Sequence, residues 1–520
     1  MAYLFAFFCG GSGARVAEMY AFCAAMGLTR HDIPTHICLC DADHQNGNEA
    51  TSLGTIKNYV TVRSEMYREG HTPAGAGDFF GTPISAGQWA LDGRNDKNAG
   101  LAQYTLDQLG SAGDAGFVSK ALFTEEERTR DIKNLGFFAH PNVGNAIVQA
   151  AILYEQDVAD DQSITTEYKR TKQMIIQRLN AGDRVYVVFV GSLFGGTGAA
   201  CMPTIAQDLR SSIQNYCQEK GMPQFEKIFH MSAVMLLPYF IIPQNENGEE
   251  LVDNGIFDSS TKIAMDYYFR KHPNLFETIY PIGLPTSYLL PGKAEYGGEK
   301  QKNPSSLVEW VATLAICDFV ATHDVNDAMP VHSKLCCASL NVDDENKYVL
   351  RNSSFMSTLF GETFNRWNEF AAFYALYLYP NIKLGNEGGK VPNWYRNYII
   401  MEADNPAIDQ MFVFIQTYYN SIKELLGMSL YDGAQPINEF INTDCLIKMS
   451  SMLDHLGTVE RMTGHDAKKA YNTLKYAFDI PMDRMQSNTL PRDLEKESNT
   501  ENRTAGGFGQ LLQFVAQKAL

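Results

Sequence analysis

Two glycine-rich segments stand out in the sequence, each directly after a run of apolar residues. Gly10–Gly13 (GGSG) follows the run Ala2–Phe8, and Ser192–Gly198 (SLFGGTG) follows Val185–Val190. Glycines let backbone N–H groups approach an anion, and a helix that begins at such a segment adds partial positive charge. The pair therefore predicts a phosphate-binding site. Either segment alone is equally consistent with a tight strand-to-helix turn that holds no ligand.

The elements that must position these segments are buried strands before them and helices after them. Val185–Val190 is an unbroken apolar run, as expected of a strand buried on both faces. Residues 34–40 (PTHICLC) predict a second parallel strand, which ends in Asp41-Ala42-Asp43. Carboxylates at this place can accept hydrogen bonds from ribose hydroxyls in nucleotide-binding α/β folds. They can equally cap the helix that follows.

The remaining chain predicts further strands, a buried helix and a mainly helical C-terminal part. Asn303 and Pro304 favour a helix start, and residues 307–320 are apolar almost all round, which indicates a buried helix. Residues 72–87 are rich in Gly and Pro and predict a long loop. Further strands are predicted within 232–238 and 277–283, helices within 163–179, 360–379, 406–426, 438–456, 467–478 and 508–520, and a polar, flexible stretch at 484–507.

Composition excludes several classes of function. The chain has 520 residues, 45% of them hydrophobic and 20% charged, and a formal net charge of −17. This acidity argues against direct nucleic-acid binding and against a polybasic membrane contact. There is no run of eighteen apolar residues and no cationic start of a signal peptide, so we expect no membrane insertion. The ten cysteines lack zinc-site spacing and predict reduced core thiols in a cytoplasmic protein.

The order of the segments resembles the tubulin/FtsZ superfamily of GTP-binding, filament-forming proteins. Gly195–Gly198 (GGTG) matches the family's glycine-rich signature, with Ala199 and Ala200 in place of its last Thr-Gly or Ser-Gly. Gly10–Gly13 is similar to the first phosphate loop, and His140–Gly144 (HPNVG) is similar to the FtsZ loop NPEVG. Asp41-Ala42-Asp43 resembles Asn-Thr-Asp after the second strand. The resemblance covers the first 320 residues in patches and suggests a divergent prokaryotic or phage tubulin-like protein.

The resemblance implies an α/β fold: a parallel-sheet, Rossmann-like GTPase domain, a long buried central helix, and a mainly helical C-terminal domain. The expected division is 1–302 for the nucleotide-binding domain, with insertions near 50–130 and 285–302. Residues 303–328 form the central helix, 329–483 the C-terminal domain, and 484–520 a flexible tail with a short terminal helix.

The resemblance also implies a GTP site with Mg²⁺ bound mainly by phosphates and water. The expected nucleotide-binding residues are Gly10, Gly11, Ser12, Gly13, Asp41, Asp43, Ala139, His140, Asn142, Ser192, Leu193, Phe194, Gly195, Gly196, Thr197, Gly198, Asp258 and Asn303. Asp258 and Asn303 are equally consistent with helix caps. In the superfamily, acidic residues of a neighbouring subunit complete hydrolysis, and Leu340–Asp344 (LNVDD) resembles their loop. Asp343 and Asp344 are the candidate catalytic residues, although a polar hairpin turn has the same pattern.

Three functions remain open from the sequence. The first is a GTPase that self-associates head-to-tail into filaments or oligomers, with the C-terminal tail as a possible contact for a protein partner. The second is a structural protein that binds nucleotide without turning it over. The third is an NAD-type enzyme, since GGSG followed by an Asp near the second strand's end partly fits a dinucleotide fingerprint. The full G-x-G-x-x-G is absent, and this reading leaves the second glycine segment unexplained.

Overall fold

The computed structural model describes the greater part of the chain. The described residues are 1–43, 46–68, 78–89, 105–109, 119–130, 140–157, 166–222, 225–245, 247–250, 253–284, 286–291, 298–325, 361–385, 392–432, 435–439, 489–498 and 506–519, with short pieces between them. Two compact units emerge: Met1–Tyr20, Asp32–Gly54 and Ile84–Ala338 form the first, and Ala21–His31, Thr55–Pro83 and Ser339–Leu520 form the second. The predicted boundaries at 302 and 328 do not coincide with these limits.

A parallel sheet forms the centre of the first unit. Its longer strands are β1 (Ala2–Cys9), β2 (Thr35–Cys40), β3 (Ile84–Trp89), β4 (Arg184–Ser192), β5 (Phe229–Leu236) and β7 (Thr278–Gly283). They lie in the order β7-β5-β4-β1-β2-β3, and every described pairing is parallel. Two-residue strands, β9 (His332–Ser333) and β10 (Cys336–Cys337), both pair with β7. This is the strand order of a doubly wound, Rossmann-like sheet, so the predicted α/β fold class is confirmed at that level.

Helices follow most of these strands. They are α1 (Gly10–Ala25), α2 (Gly47–Met66), α3 (Leu106–Leu109), α4 (Glu125–Thr129), α5 (Pro141–Asp157), α6 (Glu167–Asn180), α7 (Gly196–Glu219), α8 (Gly255–Asp266) and α9 (Leu307–Val325). A short parallel pair, β6 (Phe240–Ile241) with β8 (Tyr288–Leu289), lies beyond the end of β5. The strands of the sheet centre are buried except at the first residues of β1 and β4, as expected of a parallel sheet covered by helices on both faces, and this explains their unbroken apolar runs.

The central helix α9 begins later than the sequence predicts. Asn303 and Pro304 favour a start there, but the helix begins at Leu307 with Ser306 before it. Ser306 Oγ accepts a hydrogen bond from Val308 N (3.1 Å), and Ser306 N donates to Glu309 Oε2 (2.9 Å), so Ser306 caps the helix and Glu309 bonds back to it. The predicted burial of the helix is confirmed: Trp310, Ile316 and Phe319 have no exposed surface. Asn303 is therefore not the N-cap residue of α9.

The second unit is largely helical among its described residues, in agreement with the prediction. Its helices are α10 (Gly361–Phe373), which continues as a π-helical turn over Tyr374–Leu378, α11 (Tyr379–Leu384), α12 (Asn393–Tyr398), α13 (Pro406–Leu426), α14 (Thr489–Ser498) and α15 (Phe508–Ala519). Short strands at Asn341–Val342 and Tyr348–Val349 pair antiparallel, as do Ser429–Asp432 and Gln435–Glu439. The aromatic residues pack on each other, for example Trp367 on Phe414 and Tyr418, so they form core.

Several local predictions are wrong. Residues 72–87 do not form one loop, since β3 begins at Ile84 and pairs along the whole of β2. Helix α2 occupies Gly47–Met66, where no helix was predicted, and residues 489–498 of the polar stretch are helical. Gln435–Glu439 is a strand where a helix was predicted from 438, whereas 467–478 lies outside the described residues. None of the described helices has the length and apolar character that a membrane crossing requires.

Candidate functional site

Two helix N-termini meet at the carboxyl ends of β1 and β4. These strands are neighbours with Cys9 opposite Gly191, so α1 and α7 begin side by side. A Cβ placed on Gly10 would lie 3.0 Å from the Cβ of Thr197, and Gly10 itself has φ +75°. Only glycine satisfies both conditions without strain. In a doubly wound sheet this is the switch point, where helices leave the sheet on opposite faces and ligands bind.

The N-terminus of α7 has no side-chain cap. Gly195 occupies the N-cap position, and a glycine has no side chain that could accept a hydrogen bond from the first turn. The first N–H groups of any helix lack intrahelical acceptors, so those of Gly196, Thr197 and Gly198 are directed to the space before the helix. Gly198 packs so closely on the preceding strand that a Cβ would lie 2.6 Å from Ser192 N. The arrangement suits an anion, such as a phosphate group, placed before the helix.

A cavity of about 130 Å³ lies at these two N-termini. Many of the predicted site residues line it together: Gly10, Gly11, Ser12, Asp41, Asp43, Ser192, Phe194, Gly195, Gly196, Thr197, Gly198 and Asn303. Residues that the sequence analysis missed complete the lining: Asn46, Asn48, Gly136, Phe137, Phe240, Ile242, Phe257 and Gln301. The run of amides after Asp43 was the available signal for Asn46 and Asn48.

The other predicted residues lie elsewhere. Gly13 and Leu193 are buried in the wall, where a Cβ on Gly13 would lie 2.9 Å from Val190 O. Asp258 is exposed in the first turn of α8 and does not line the cavity. The N-cap residue of that helix is Asn254, which does not line the cavity either. Ala139, Asp343 and Asp344 lie outside the described residues.

The side chains of His140 and Asn142 contact Glu127, which does not line the cavity. Asn142 Nδ2 donates to Glu127 Oε1 (2.8 Å), and His140 Nδ1 lies 3.7 Å from the same oxygen. The hydrogen bond from Asn142 lowers the pKa of Glu127, and burial lowers the pKa of His140. Pro141 and Asn142 begin helix α5, where a loop was predicted, because Pro is well suited to the first helical position. In this part of the chain, Gly136 and Phe137 line the cavity instead.

The acidic side of the cavity is held by hydrogen bonds within the chain. Asp41 Oδ1 accepts from Thr197 Oγ1 (3.2 Å) and Asp41 Oδ2 accepts from Asn46 Nδ2 (2.9 Å), which ties the end of β2 to the start of α7. Burial raises the pKa of Asp41 to about 7. Burial also raises the pKa of Glu49 well above its usual range, and the charge of Asp41 adds to this. A bound cation or hydrogen-bond donors would relieve the cost of these buried charges.

The segment 298–303 closes one side of the cavity. Gly298 N donates to Asp43 Oδ2 (2.7 Å), and Asn303 N donates to Asn48 Oδ1 (2.7 Å). The amide nitrogen Asn48 Nδ2 is buried and has no hydrogen-bond partner within the described residues. It lies beside Gly11, where an added Cβ would stand 3.0 Å from it. An unused donor at this place is available to a ligand, since a buried polar group without a partner is costly.

A hydrogen-bonded chain connects the first glycine segment to the central helix. The Ser12 side chain hydrogen-bonds Tyr239, and Tyr239 OH donates to Glu309 Oε1 (3.1 Å). Glu309 also accepts from Ser306 N at the start of α9. Burial raises the pKa of Glu309 to about 7, although the charge of Arg15 opposes this. The cavity wall and the start of α9 therefore form one polar network.

The pKa values of Asp41 and Glu309 predict how the stability of the protein depends on pH. The folded-state pKa values of Asp41 and Glu309 are about 7, above the ordinary values of 3.8 and 4.5. The folded state therefore binds more protons between these limits, and the free energy of unfolding falls as pH rises from about 4 to 7. The free energy of unfolding of the wild type should decrease between pH 5 and pH 8. We expect Asp41→Asn and Glu309→Gln each to make this decrease about 2 kcal/mol smaller. Urea denaturation at both pH values measures this, and an undiminished loss in both variants would contradict it.

Comparison with known proteins adds no assignment to this geometry. No protein-family model matches the sequence, and no curated protein shows a significant similarity to it.

Proposed function

We propose that this chain is a GTP-binding protein of the tubulin/FtsZ type that assembles head-to-tail and hydrolyses GTP at the contact between subunits. One observation carries the proposal. Both glycine-rich segments begin helices at the switch point of a doubly wound sheet, and both line one cavity. That is where such sheets bind nucleotides. The N-terminus of α7, without a side-chain cap, supports a phosphate rather than an empty turn.

The cavity lining fits the parts of a nucleotide. Backbone N–H groups at Gly10–Ser12 and Gly196–Gly198 are suited to phosphates. The carboxyls of Asp41 and Asp43 can accept hydrogen bonds from ribose hydroxyls. The side-chain amides of Asn48, Gln301 and Asn303 can both donate and accept, as the edge of guanine requires.

Mg²⁺ would neutralise charge on the phosphates, and the residues of the chain would bind and orient the nucleotide. Asp41 and Asp43 are the carboxyl residues in the described lining of the cavity, and Asp41 bonds to Thr197 of the second glycine-rich segment. The cavity of about 130 Å³ is smaller than typical ligand pockets of roughly 300–1,000 Å³. Binding therefore requires it to widen, and the hydrogen bonds of Gly298 and Asn303 are among those at its border.

Two other functions are less well supported. The strand order is also that of dinucleotide-binding enzymes, which keeps an NAD-type function open. The second glycine segment after β4, which is not part of the dinucleotide fingerprint, favours GTP over NAD. A nucleotide-binding scaffold without turnover shares the whole cavity, and phosphate release is the property that distinguishes it.

Assembly is the expected consequence of a nucleotide held at the strand ends. A head-to-tail contact that includes the nucleotide propagates into a filament when its rotation does not close. We expect light scattering to rise with GTP and Mg²⁺ but not with GDP, and negative-stain microscopy to show filaments. A protein that stays monomeric at high concentration with GTP and Mg²⁺ would contradict assembly. That result would not decide whether GTP binds, which a separate titration measures.

A further inference from the structure

Three metal-ligating side chains meet at the opposite end of the first unit's sheet. His230 is the second residue of β5, Glu277 directly precedes β7, and His323 lies in the last turn of α9. One ligand atom from each lies within 4.8 Å of the other two. Among the described residues, these three side chains form the one group of three or more potential metal ligands. His230 and His323 are buried, with 4% and 1% of their surface exposed. The nucleotide cavity lies at the other ends of β1, β2 and β4, so the two places are separate.

The hydrogen bonds of His323 fix which nitrogen faces the cluster. Nδ1 lies 3.0 Å from the carbonyl oxygen of Phe319, one turn earlier in α9. A carbonyl oxygen only accepts, so Nδ1 carries a hydrogen, and Nε2 is the nitrogen with a lone pair in the neutral ring. This Nε2 lies 3.5 Å from Glu277 Oε2. Histidine ligands of metal ions frequently donate one ring N–H to a backbone carbonyl and bind the ion through the other nitrogen.

His230 presents one ring nitrogen to the cluster. Its Nδ1 lies 2.8 Å from the same carboxylate oxygen, Glu277 Oε2. Its Nε2 is buried and has no hydrogen-bond partner within the described residues. Nδ1 is the nitrogen beside Glu277, so it is the atom of His230 that would bind an ion, and Nε2 would then carry the hydrogen.

The distances suit a small divalent cation. Zinc binds histidine nitrogens and carboxylate oxygens at about 2.0–2.1 Å, which places tetrahedral ligand atoms on the order of 3.3 Å apart. The two distances to Glu277 Oε2, 2.8 and 3.5 Å, bracket that value. Two histidines and one carboxylate form a known zinc donor set and leave a fourth position for water. The partial exposure of Glu277, whose side chain is 21% exposed, gives solvent access on its side.

We propose that His230, Glu277 and His323 bind a divalent transition-metal cation of the zinc class. The ion connects the last turn of the central helix α9 to the starts of β5 and β7. The rings are already oriented for this: His230 stacks on Tyr186 and His323 packs against Phe319. Because α9 extends from the cavity side of the sheet to this cluster, the ion stabilises the end of the helix that is remote from the nucleotide. The proposal does not depend on the nature of that nucleotide.

The experiment uses the full chain, stripped of metal with a chelator and titrated with Zn²⁺ by calorimetry. We expect one equivalent to bind and to raise Tm, because an ion that binds only the folded state stabilises it. Glu277→Gln and His230→Gln should each weaken zinc binding by at least about 100-fold, since even residues that only orient ligands contribute 10–100-fold. Glu277→Gln keeps the size of a partly exposed side chain that can still form hydrogen bonds, so this variant is expected to fold.

A matched control is His36→Gln. His36 Nε2 pairs with Glu167 Oε1 at 2.8 Å and is buried like His230, but its next neighbour is the Thr171 hydroxyl rather than a third ligand. This variant should bind zinc like the wild type. Co²⁺ in place of Zn²⁺ should give d–d absorption without the intense thiolate bands that cysteine ligands would produce. Absence of one-to-one binding by the wild type, or binding unchanged in Glu277→Gln and His230→Gln, would overturn the proposal.

Discussion

Gly196→Val is expected to weaken GTP binding by about 100-fold without unfolding the protein. Gly196 is the first residue of α7 and lines the cavity, so a branched side chain would stand where phosphate must approach the backbone. Losing two hydrogen bonds to a charged group costs about 3 kcal/mol or more, which corresponds to that factor. Gly196 is not among the glycines with positive φ, so its backbone accepts a side chain. Fluorescence titration with a labelled GTP measures the affinity.

Ala199→Val is the matched control for this variant. Ala199 lies in the same helix, also receives a branched side chain, and does not line the cavity. It should keep wild-type affinity, and both variants should melt near the wild-type temperature. If Gly196→Val folds normally and binds GTP as tightly as Ala199→Val, phosphate does not bind at the start of α7.

Asp343→Ala and Asp344→Ala are expected to lower GTP hydrolysis while leaving GTP affinity unchanged. The resemblance places this loop at the nucleotide of the neighbouring subunit, where a carboxylate polarises the attacking water. Groups of this kind contribute on the order of 100-fold or more to the rate. Filaments of the affected variant should persist longer because GTP remains in them. Steady-state phosphate release, measured beside GTP affinity for each variant separately, provides the test.

Wild-type rates in both variants would show that the loop is not catalytic. The acid would then be sought at Asp324 and Asp327, which follow the buried part of the central helix. Wild-type GTP binding with no phosphate release in any variant or in the wild type would favour the scaffold without turnover.

The strands and the glycine segments could be predicted because their signals are local. A strand buried on both faces requires an unbroken apolar run, and β1 and β4 both show one. Helix α13 occupies the predicted residues 406–426, because Asn405 caps it, Pro406 opens it, and an apolar face repeats at helical spacing. Gly10 and Thr197 lie side by side because β1 and β4 are neighbours in the sheet. The Rossmann-like fold that the family resemblance implied includes this strand order, but the apolar patterns alone do not predict it.

The elements that were missed depend on distant parts of the chain. Strand β3 contains Ser, Gly and Gln, and it is held by pairing with β2. Its Gly87 lies so close to Glu167, 80 positions along the chain, that any side chain would overlap the carboxyl group. Helix α2 buries Ile56, Tyr59 and Val62 on one face, but polar residues and Gly54 interrupt the apolar pattern along its sequence. Tertiary contacts decide such segments, and local propensity cannot.

The cavity shows the same division. Glycines and Asp41 were predicted from motifs, whereas Asn48 and Gln301 enter the site because segment 298–303 bonds to the residues after β2. His140 and Asn142 fit the family's loop by sequence, yet Glu127 holds them away from the cavity. A motif gives the residue type at a position, but the partner that competes for its side chain is not visible in the motif.

Equilibrium titration of the purified chain with labelled GTP, ATP and NAD, each with Mg²⁺, tests the central claim most directly. The account predicts one GTP per chain, displaced by unlabelled GTP and GDP, with much weaker binding of ATP and NAD. It also predicts that this binding is lost in Gly196→Val and kept in Ala199→Val. Tight, saturable binding of NAD, or no binding of any guanine nucleotide by folded protein, would contradict it.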